Sequence, residues 1–215
     1  GTISNISNLS QQHFCVAPAQ FGAAVLGLLK AVVENNHIDS AIRQRATDYV
    51  SAVSRAVQQL TWDDLALSAG ISRESFAQMA ASLAGGRRVV VLAGQTLLRG
   101  QGGYGSCLNL LDLLLLTGKL TAPGCGFAPL AEENNDQGAV EMGAAAALLP
   151  GALDLTDQAA RAQITRVWKE DLPVAAGATL IEMIDQAQAG VIKGLFVVGE
   201  NPVGSLPPQT GVKEA

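Results

Sequence analysis

Three segments of the 215-residue sequence hold residues whose types and spacing could do chemistry. Gly100-Gln101-Gly102-Gly103-Tyr104-Gly105 satisfies G-x-G-x-x-G ahead of a helical pattern. Glycines so placed let a backbone approach a pyrophosphate at a helix amino terminus. The preceding strand pattern ends near Ala93, several residues too early, and no second strand supplies an acidic ribose ligand about 20 residues on. A glycine loop that meets another ligand or a neighbouring protein fits the spacing better. Glu132-Glu133-Asn134-Asn135-Asp136-Gln137-Gly138 is the densest polar cluster. Its carboxylates do not follow a calcium-loop spacing, and adjacent ones point apart in helix or strand, so a solvated turn with asparagine–backbone pairing competes with a cation site. Gly199-Glu200-Asn201-Pro202 follows a second strand pattern, at the end where open α/β sheets bind ligands. The proline holds Asn201 extended, so its amide could face a crevice, although an ordinary strand-ending turn would look the same.

Other chemistry is excluded or unsupported. His13 and His37 lie far from any nucleophile or acid partner, and no GxSxG, P-loop, HExxH or CxxC occurs, so no catalytic residue and no metal ligand is assigned. Cys15, Cys107 and Cys125 are scattered and odd in number, a poor disulfide, zinc or iron–sulfur framework that reads as small buried or half-buried thiols. Charged residues make up 15% against about 25% in an ordinary domain, mean hydropathy is +0.25, and 14 basic against 19 acidic residues leave a net charge of −5. Such a chain can bury enough surface to fold. Lacking a basic stripe, it is not a nucleic-acid binder. Its apolar runs are broken well short of the roughly 20 residues that span a bilayer, and nothing in it marks export, so a cytoplasmic segment without membrane insertion is expected. The sparse charge points to a surface covered by partner protein.

The elements that must position these residues fall into two regions, 1–85 and 86–215. The first reads as helices over 19–35, 39–60 and 73–83 with a short helix after Thr61, and with Thr61 and Ser72 as amino-terminal caps. The second begins with the β-branched run RVVVLA (88–93), a pattern for a strand buried on both faces. A helix apolar nearly all round (106–117) follows and should be deeply buried. Helices over 157–170 and from the Thr179–Glu182 capping box to Ala189 precede a second buried strand, LFVV (195–198). The long stretch 120–178, irregular apart from one helix, is of a length usually kept for function. The fold expected is an open, mainly parallel α/β sheet of Rossmann-like form preceded by a helical segment. Two strands cannot bury both faces, so the remaining strands should lie outside this sequence and the chain should be an internal fragment.

VVVLAG (89–94) with LLLLTGKL (113–120), ENNDQGAVEMGAAAALLPG (133–151) and GLFVVGENP (194–202), read in order, resemble the molybdopterin oxidoreductase superfamily. That family includes formate dehydrogenases and the large iron–sulfur subunit of respiratory complex I. Its Asn-Asn-x-x-Gly-Ala-x-x-Met-Gly stretch, ending in Pro-Gly, fits residues 134–151, and Trp168, Leu172-Pro173, Gly177 and Glu182 follow its usual spacing. The segment from Phe21 to Leu83 is similar to the family's region before this domain.

The resemblance implies two related domains that each hold one guanosine-dinucleotide arm of a bis-pterin cofactor. By this match Gly94, Asn134, Asn135, Gly138, Glu200 and Asn201 would face the molybdopterin guanine dinucleotide. Iron–sulfur clusters and the metal-binding Cys or selenocysteine lie upstream in the family and are absent here, so this chain alone is not expected to be catalytic. Members that hold the cofactor usually carry Gly-x-Gly-x-Thr-Gln/His after the first strand, whereas this chain has Gly94-Gln95-Thr96-Leu97-Leu98-Arg99. That departure favours a scaffold domain in the large iron–sulfur subunit of NADH-quinone oxidoreductase (complex I). The alternative is the cofactor-binding part of a molybdenum or tungsten formate dehydrogenase. Either implies neighbouring subunits of a respiratory or formate dehydrogenase complex, at the cytoplasmic face of the membrane.

Overall fold

The computed structural model describes residues 5–99, 102–131 and 133–215. The chain divides into two units, 1–132 and 133–215. This division falls beyond the point near residue 86 where the sequence changes from helical to strand patterning.

The first unit opens with six helices: α1 (Asn5–Leu9), α2 (Phe21–Glu34), α3 (Ser40–Arg45), α4 (Thr47–Gln58), α5 (Trp62–Ala69) and α6 (Arg73–Gly85). The caps form as the sequence dictates. Thr61 Oγ1 accepts from the Asp64 amide at 3.1 Å, and Ser72 Oγ from the Ser75 amide at 3.2 Å. Such caps satisfy amides that a helix start leaves without partners. Helix α2 ends where the Asn35 side chain donates to the Ala31 carbonyl at 2.8 Å and Asn36 turns left-handed at φ 58°. The single helix expected over 39–60 is instead broken at Ala46 (φ −131°, ψ 44°). There the Thr47 hydroxyl donates to the Arg43 carbonyl at 3.0 Å, a side-chain bond that competes with the helical ladder.

Helix α2 is the hub. Its buried residues Val25, Leu29, Ala31 and Val32 join one core with residues of α4, α5 and α6. At Gly27 a Cβ would lie 2.4 Å from the Phe76 ring, and Phe76 is fully buried. Lys30, on the same helix, is buried yet fully engaged. Its ammonium donates to the Val57 carbonyl at 3.1 Å, pairs with Glu34 at 2.7 Å and lies 5.6 Å from the Trp62 ring centre. The Trp62 indole donates to Glu34 at 2.8 Å, and Arg73 meets the same carboxylate at 3.4 Å.

After α6 come β1 (Val90–Ala93), α7 (Gln95–Arg99), α8 (Gly103–Leu116) and β2 (Gly126–Pro129). The two strands are parallel, Val90 opposite Gly126 and Ala93 opposite Pro129. Side chains alternate across a strand. Val91 and Ala93 therefore enter the core, while Val90 and Leu92 stay largely exposed (58% and 61%). The expectation of a strand buried on both faces is corrected here, because among the described residues helices pack on one face only. The second strand also differs from expectation. Residues 195–198 are extended but pair with no strand among the described residues, and Phe196 is 96% exposed. A strand needs a neighbour's ladder as well as β-branched residues, and β2, from within the stretch read as irregular, supplies it to β1. Helix α8 is less uniformly buried than its composition implies: Leu110, Leu113, Leu114 and Leu116 are buried, while Tyr104 and Leu108 are exposed. Its one carboxylate, Asp112, accepts a hydrogen bond from the Tyr49 hydroxyl. Burial, then that bond and the carboxylate's charge, push the Tyr49 phenol well above its ordinary pKa.

The second unit holds α9 (Asp136–Glu141), a hairpin of β3 (Leu148–Leu149) and β4 (Leu153–Asp154), then α10 (Gln158–Trp168), α11 (Leu180–Gln188) and α12 (Pro202–Ser205). Gly151 and Ala152 turn the hairpin at φ 88° and 53°. Leu149, Leu155, Ala160 and Ile164 form a small core. Asp157 caps α10, and the Thr179–Glu182 capping box forms in both directions, at 2.7 and 3.4 Å. No helix among the described residues is long and apolar enough to cross a membrane.

Burial alone would raise the Glu34 pKa, but the Lys30 and Trp62 hydrogen bonds and the Lys30 and Arg73 charges together hold it below its ordinary value of 4.5. A carboxylate with a depressed folded pKa adds stability above its unfolded value and loses it as pH falls through the folded one. Glu34→Gln is therefore expected to cost about 2 kcal/mol at neutral pH, since it strips a buried ammonium of its charge-assisted bond. The gap in thermal midpoint between wild type and variant should narrow as pH drops below 4.5. A gap constant from neutral to strongly acid pH would contradict it.

Candidate functional site: the carboxyl end of β1 and the Asn134–Asn201 segment

Gly94 leaves β1 at its carboxyl end, the position where the sheet could present a ligand. Its carbonyl accepts from the Leu97 and Leu98 amides at 3.1 and 3.3 Å, which starts α7 at once. Beside it a cavity of about 350 Å³ is lined by Phe21, Val91, Ala93, Gly94, Thr96 and Leu97, among others. Its wall is mostly apolar, with Thr96 as its polar side chain. Gln95, the polar side chain nearest Gly94 in sequence, is already committed: its amide donates to the Leu130 carbonyl at 2.5 Å. The Leu130 amide in turn donates to the Ala93 carbonyl at 2.8 Å, so both strands end in one clamp. Sequence reasoning missed Gln95 and β2, because GFAP lacks both the alternation and the β-branched content that mark a strand.

Gly100 and Gln101 of the glycine motif, and Glu132 of the polar cluster, lie outside the described residues. Two of the remaining glycines have structural roles. Gly102 caps α8 at φ 76°, and a Cβ at buried Gly103 would fall 2.1 Å from the Leu98 carbonyl oxygen. The amino end of α8 therefore meets carbonyls at the end of α7, where a pyrophosphate would have to sit.

The remaining predicted residues belong to the second unit. Asn134 and Asn135 are exposed in a turn, and the solvated turn expected for this cluster gives way at Asp136 to α9. Gly138 leaves room for its own neighbour: a Cβ there would lie 2.2 Å from Asn135 Oδ1. Glu200 accepts from the Asn201 amide at 2.9 Å, and Asn201 Oδ1 caps α12 by accepting from Gly204 at 3.4 Å. A Ser205 hydrogen bond, then the Asn201 amide, lowers the Glu200 pKa, so that carboxylate is ionised and turned inward on its own loop. The structure thus brings Asn135 to Gly138 and Glu200 to Asn201. No three His, Cys, Asp or Glu side chains form a metal-holding group among the described residues. Of the thiols, Cys107 and Cys125 are half-buried as expected, whereas Cys15 is exposed.

A sequence profile described as molybdopterin oxidoreductase matches residues 2–215. The chain belongs to the molybdopterin oxidoreductase family. It is 26% identical over 212 residues to the assimilatory nitrate reductase catalytic subunit of Bacillus subtilis, covering 97% of this chain and 30% of that one. It is 26% identical over 206 residues to the F420-dependent formate dehydrogenase subunit alpha of Methanocaldococcus jannaschii (96% and 30%). Formate dehydrogenase H of Escherichia coli is 25% identical over 210 residues (97% and 29%). The chain spans less than a third of the length of these relatives. The family implies a molybdopterin cofactor, and the residues fit one unevenly. Around Gly94 the lining side chains are mostly apolar and the Gln95 amide is engaged, whereas the Asn134 and Asn135 amides lie at the surface.

If Gly103 serves helix packing, Gly103→Ala should cost about 3 kcal/mol through backbone overlap. Gly102→Ala should cost only about 1–2 kcal/mol, the strain of a left-handed residue. Thermal melts of both variants without added ligand check this. An unchanged midpoint for Gly103→Ala would contradict it.

Proposed function

We propose that this chain is part of the large iron–sulfur subunit of an NADH-quinone oxidoreductase (complex I), in which a molybdopterin-oxidoreductase domain serves mainly as scaffold beside an electron-transfer chain. The observation that carries this reading is the mostly apolar crevice at the carboxyl end of β1. Thr96 and Leu97 line an apolar cavity there, and the Gln95 amide is spent on Leu130, so the crevice offers few donors to a nucleotide phosphate. A charge content of 15% supports a surface covered by neighbouring subunits. On this reading β1 and β2 belong to a larger Rossmann-like sheet. Iron–sulfur clusters lie elsewhere in the full protein, and the assembly works at the cytoplasmic face of a membrane.

The second reading is the nucleotide-binding part of a formate dehydrogenase or a related enzyme. The named relatives and the exposed Asn134 and Asn135 amides favour it. There Gly94, Asn134, Asn135, Gly138, Glu200 and Asn201 would hold molybdopterin guanine dinucleotide. The pterin-bound metal would supply the redox chemistry, and these residues would bind and orient its nucleotide arm.

Substitution of Asn134 and Asn135 together by Ala in the assembled full-length protein separates the two. The scaffold reading predicts NADH–quinone turnover within about two-fold of wild type, since exposed turn residues contribute little to stability. Turnover of formate or nitrate by the wild type, lost in the variant, would overturn it.

A further inference from the structure

The opposite end of the same strand carries a second feature. About 20 Å before Gly94 along an extended chain, Arg87 and Arg88 enter β1 through a bend. Neighbouring residues of a straight strand face opposite sides; here the bend brings both arginines to one cleft of about 370 Å³, completed by Pro123 and Gly124. The turn that closes the cleft is held to the strand at two points. The Val89 amide donates to Cys125 Sγ at 3.3 Å, and the Gly126 amide donates to the Val89 carbonyl at 3.0 Å. Gly124 has φ 76°, and a Cβ there would come within 2.9 Å of Arg88 Cδ. The Arg88 side chain thus lies over a surface that only glycine leaves open.

The charge of this cleft is not answered by an ion pair among the described residues. The ion pairs among the described residues join Lys30 and Arg73 to Glu34, and no described carboxylate pairs with Arg87 or Arg88. Two exposed guanidiniums beside one another repel, a cost that an oxyanion between them reverses. Guanidinium presents a planar fork matched to phosphate oxygens and donates two parallel hydrogen bonds to them. In a chain of net charge −5 the cleft is a local exception.

We propose that Arg87, Arg88, Pro123 and Gly124 form a binding site for a small phosphate-bearing anion, separate from the crevice at the carboxyl end of β1. The shared chemistry is a phosphate group, either inorganic phosphate or a phosphate borne on a nucleoside.

Titration calorimetry on the full-length protein tests this, with inorganic phosphate and adenosine 5′-monophosphate as probes and chloride at matched ionic strength as control. Both arginines are exposed, so Arg87→Gln and Arg88→Gln should leave the thermal midpoint without ligand unchanged. Each variant should weaken phosphate binding about ten-fold, and the double variant should abolish it. Arg88→Lys should not restore it, because an ammonium lacks the planar fork. Tighter binding of the nucleotide than of inorganic phosphate, lost in the double variant, supports the site with a nucleoside phosphate as ligand. Equal binding of the two, also lost, supports it with the free ion. A phosphate response equal to that of chloride, or unchanged in the double variant, overturns the proposal.

Discussion

The first unit depends on how closely α6 approaches α2. Gly27 has no side chain, so the Phe76 ring lies where a Cβ would stand, and the two helices meet at a distance no other residue at position 27 would permit. Phe76 is then sealed from water together with Leu29 and Val32. Trp62 lies tilted beside it at 5.8 Å and carries the Lys30–Glu34–Arg73 network at the rim of the same contact. A buried ammonium is tolerated only when charge and hydrogen bonds answer it, and here a carbonyl, a carboxylate and an aromatic face all do so. With α2 fixed on that side, α8 packs on another, and Leu110, Leu113 and Leu116 complete the core that β1 enters through Val91 and Ala93.

Local chemistry was legible in the sequence wherever it depended on neighbours a few residues away. The caps at Thr61, Ser72 and Thr179 form where the hydroxyl residues precede apolar periodicity, because each closes its bond within three residues. The parallel character of the sheet and the strand at 90–93 were also legible. Pairing was not. LFVV has every intrinsic property of a strand and GFAP has few, yet β2 pairs with β1, since pairing is decided by what lies alongside and not by propensity. The break at Ala46 is hidden in the sequence for a similar reason: Thr47 reads as one weak helix former, and only its bond to Arg43 shows that it interrupts the ladder.

The candidate site shows the same division. Glycines at 102 and 103 match a phosphate-binding spacing, but the space Gly103 leaves is filled by the α7 carbonyls, and Gly102 serves a left-handed cap. Gly138 likewise accommodates the Asn135 side chain. Glycine spacing records that a backbone comes close to something without naming what. Membership of the molybdopterin oxidoreductase family was readable because the order of three separated segments is far more specific than any one of them. The polarity around Gly94, by contrast, depends on the partner Gln95 takes, and only the fold shows that.

If the domain serves mainly as scaffold, as proposed, it should stand in its assembly without the cofactor. Molybdenum and tungsten analysis of the full-length protein, with fluorescence of its oxidised pterins, measures that directly. The scaffold account predicts neither metal nor pterin above trace in a preparation whose electron-transfer groups are intact. Metal and pterin in stoichiometric amounts would contradict it and make the Asn134–Asn201 segment a nucleotide clamp.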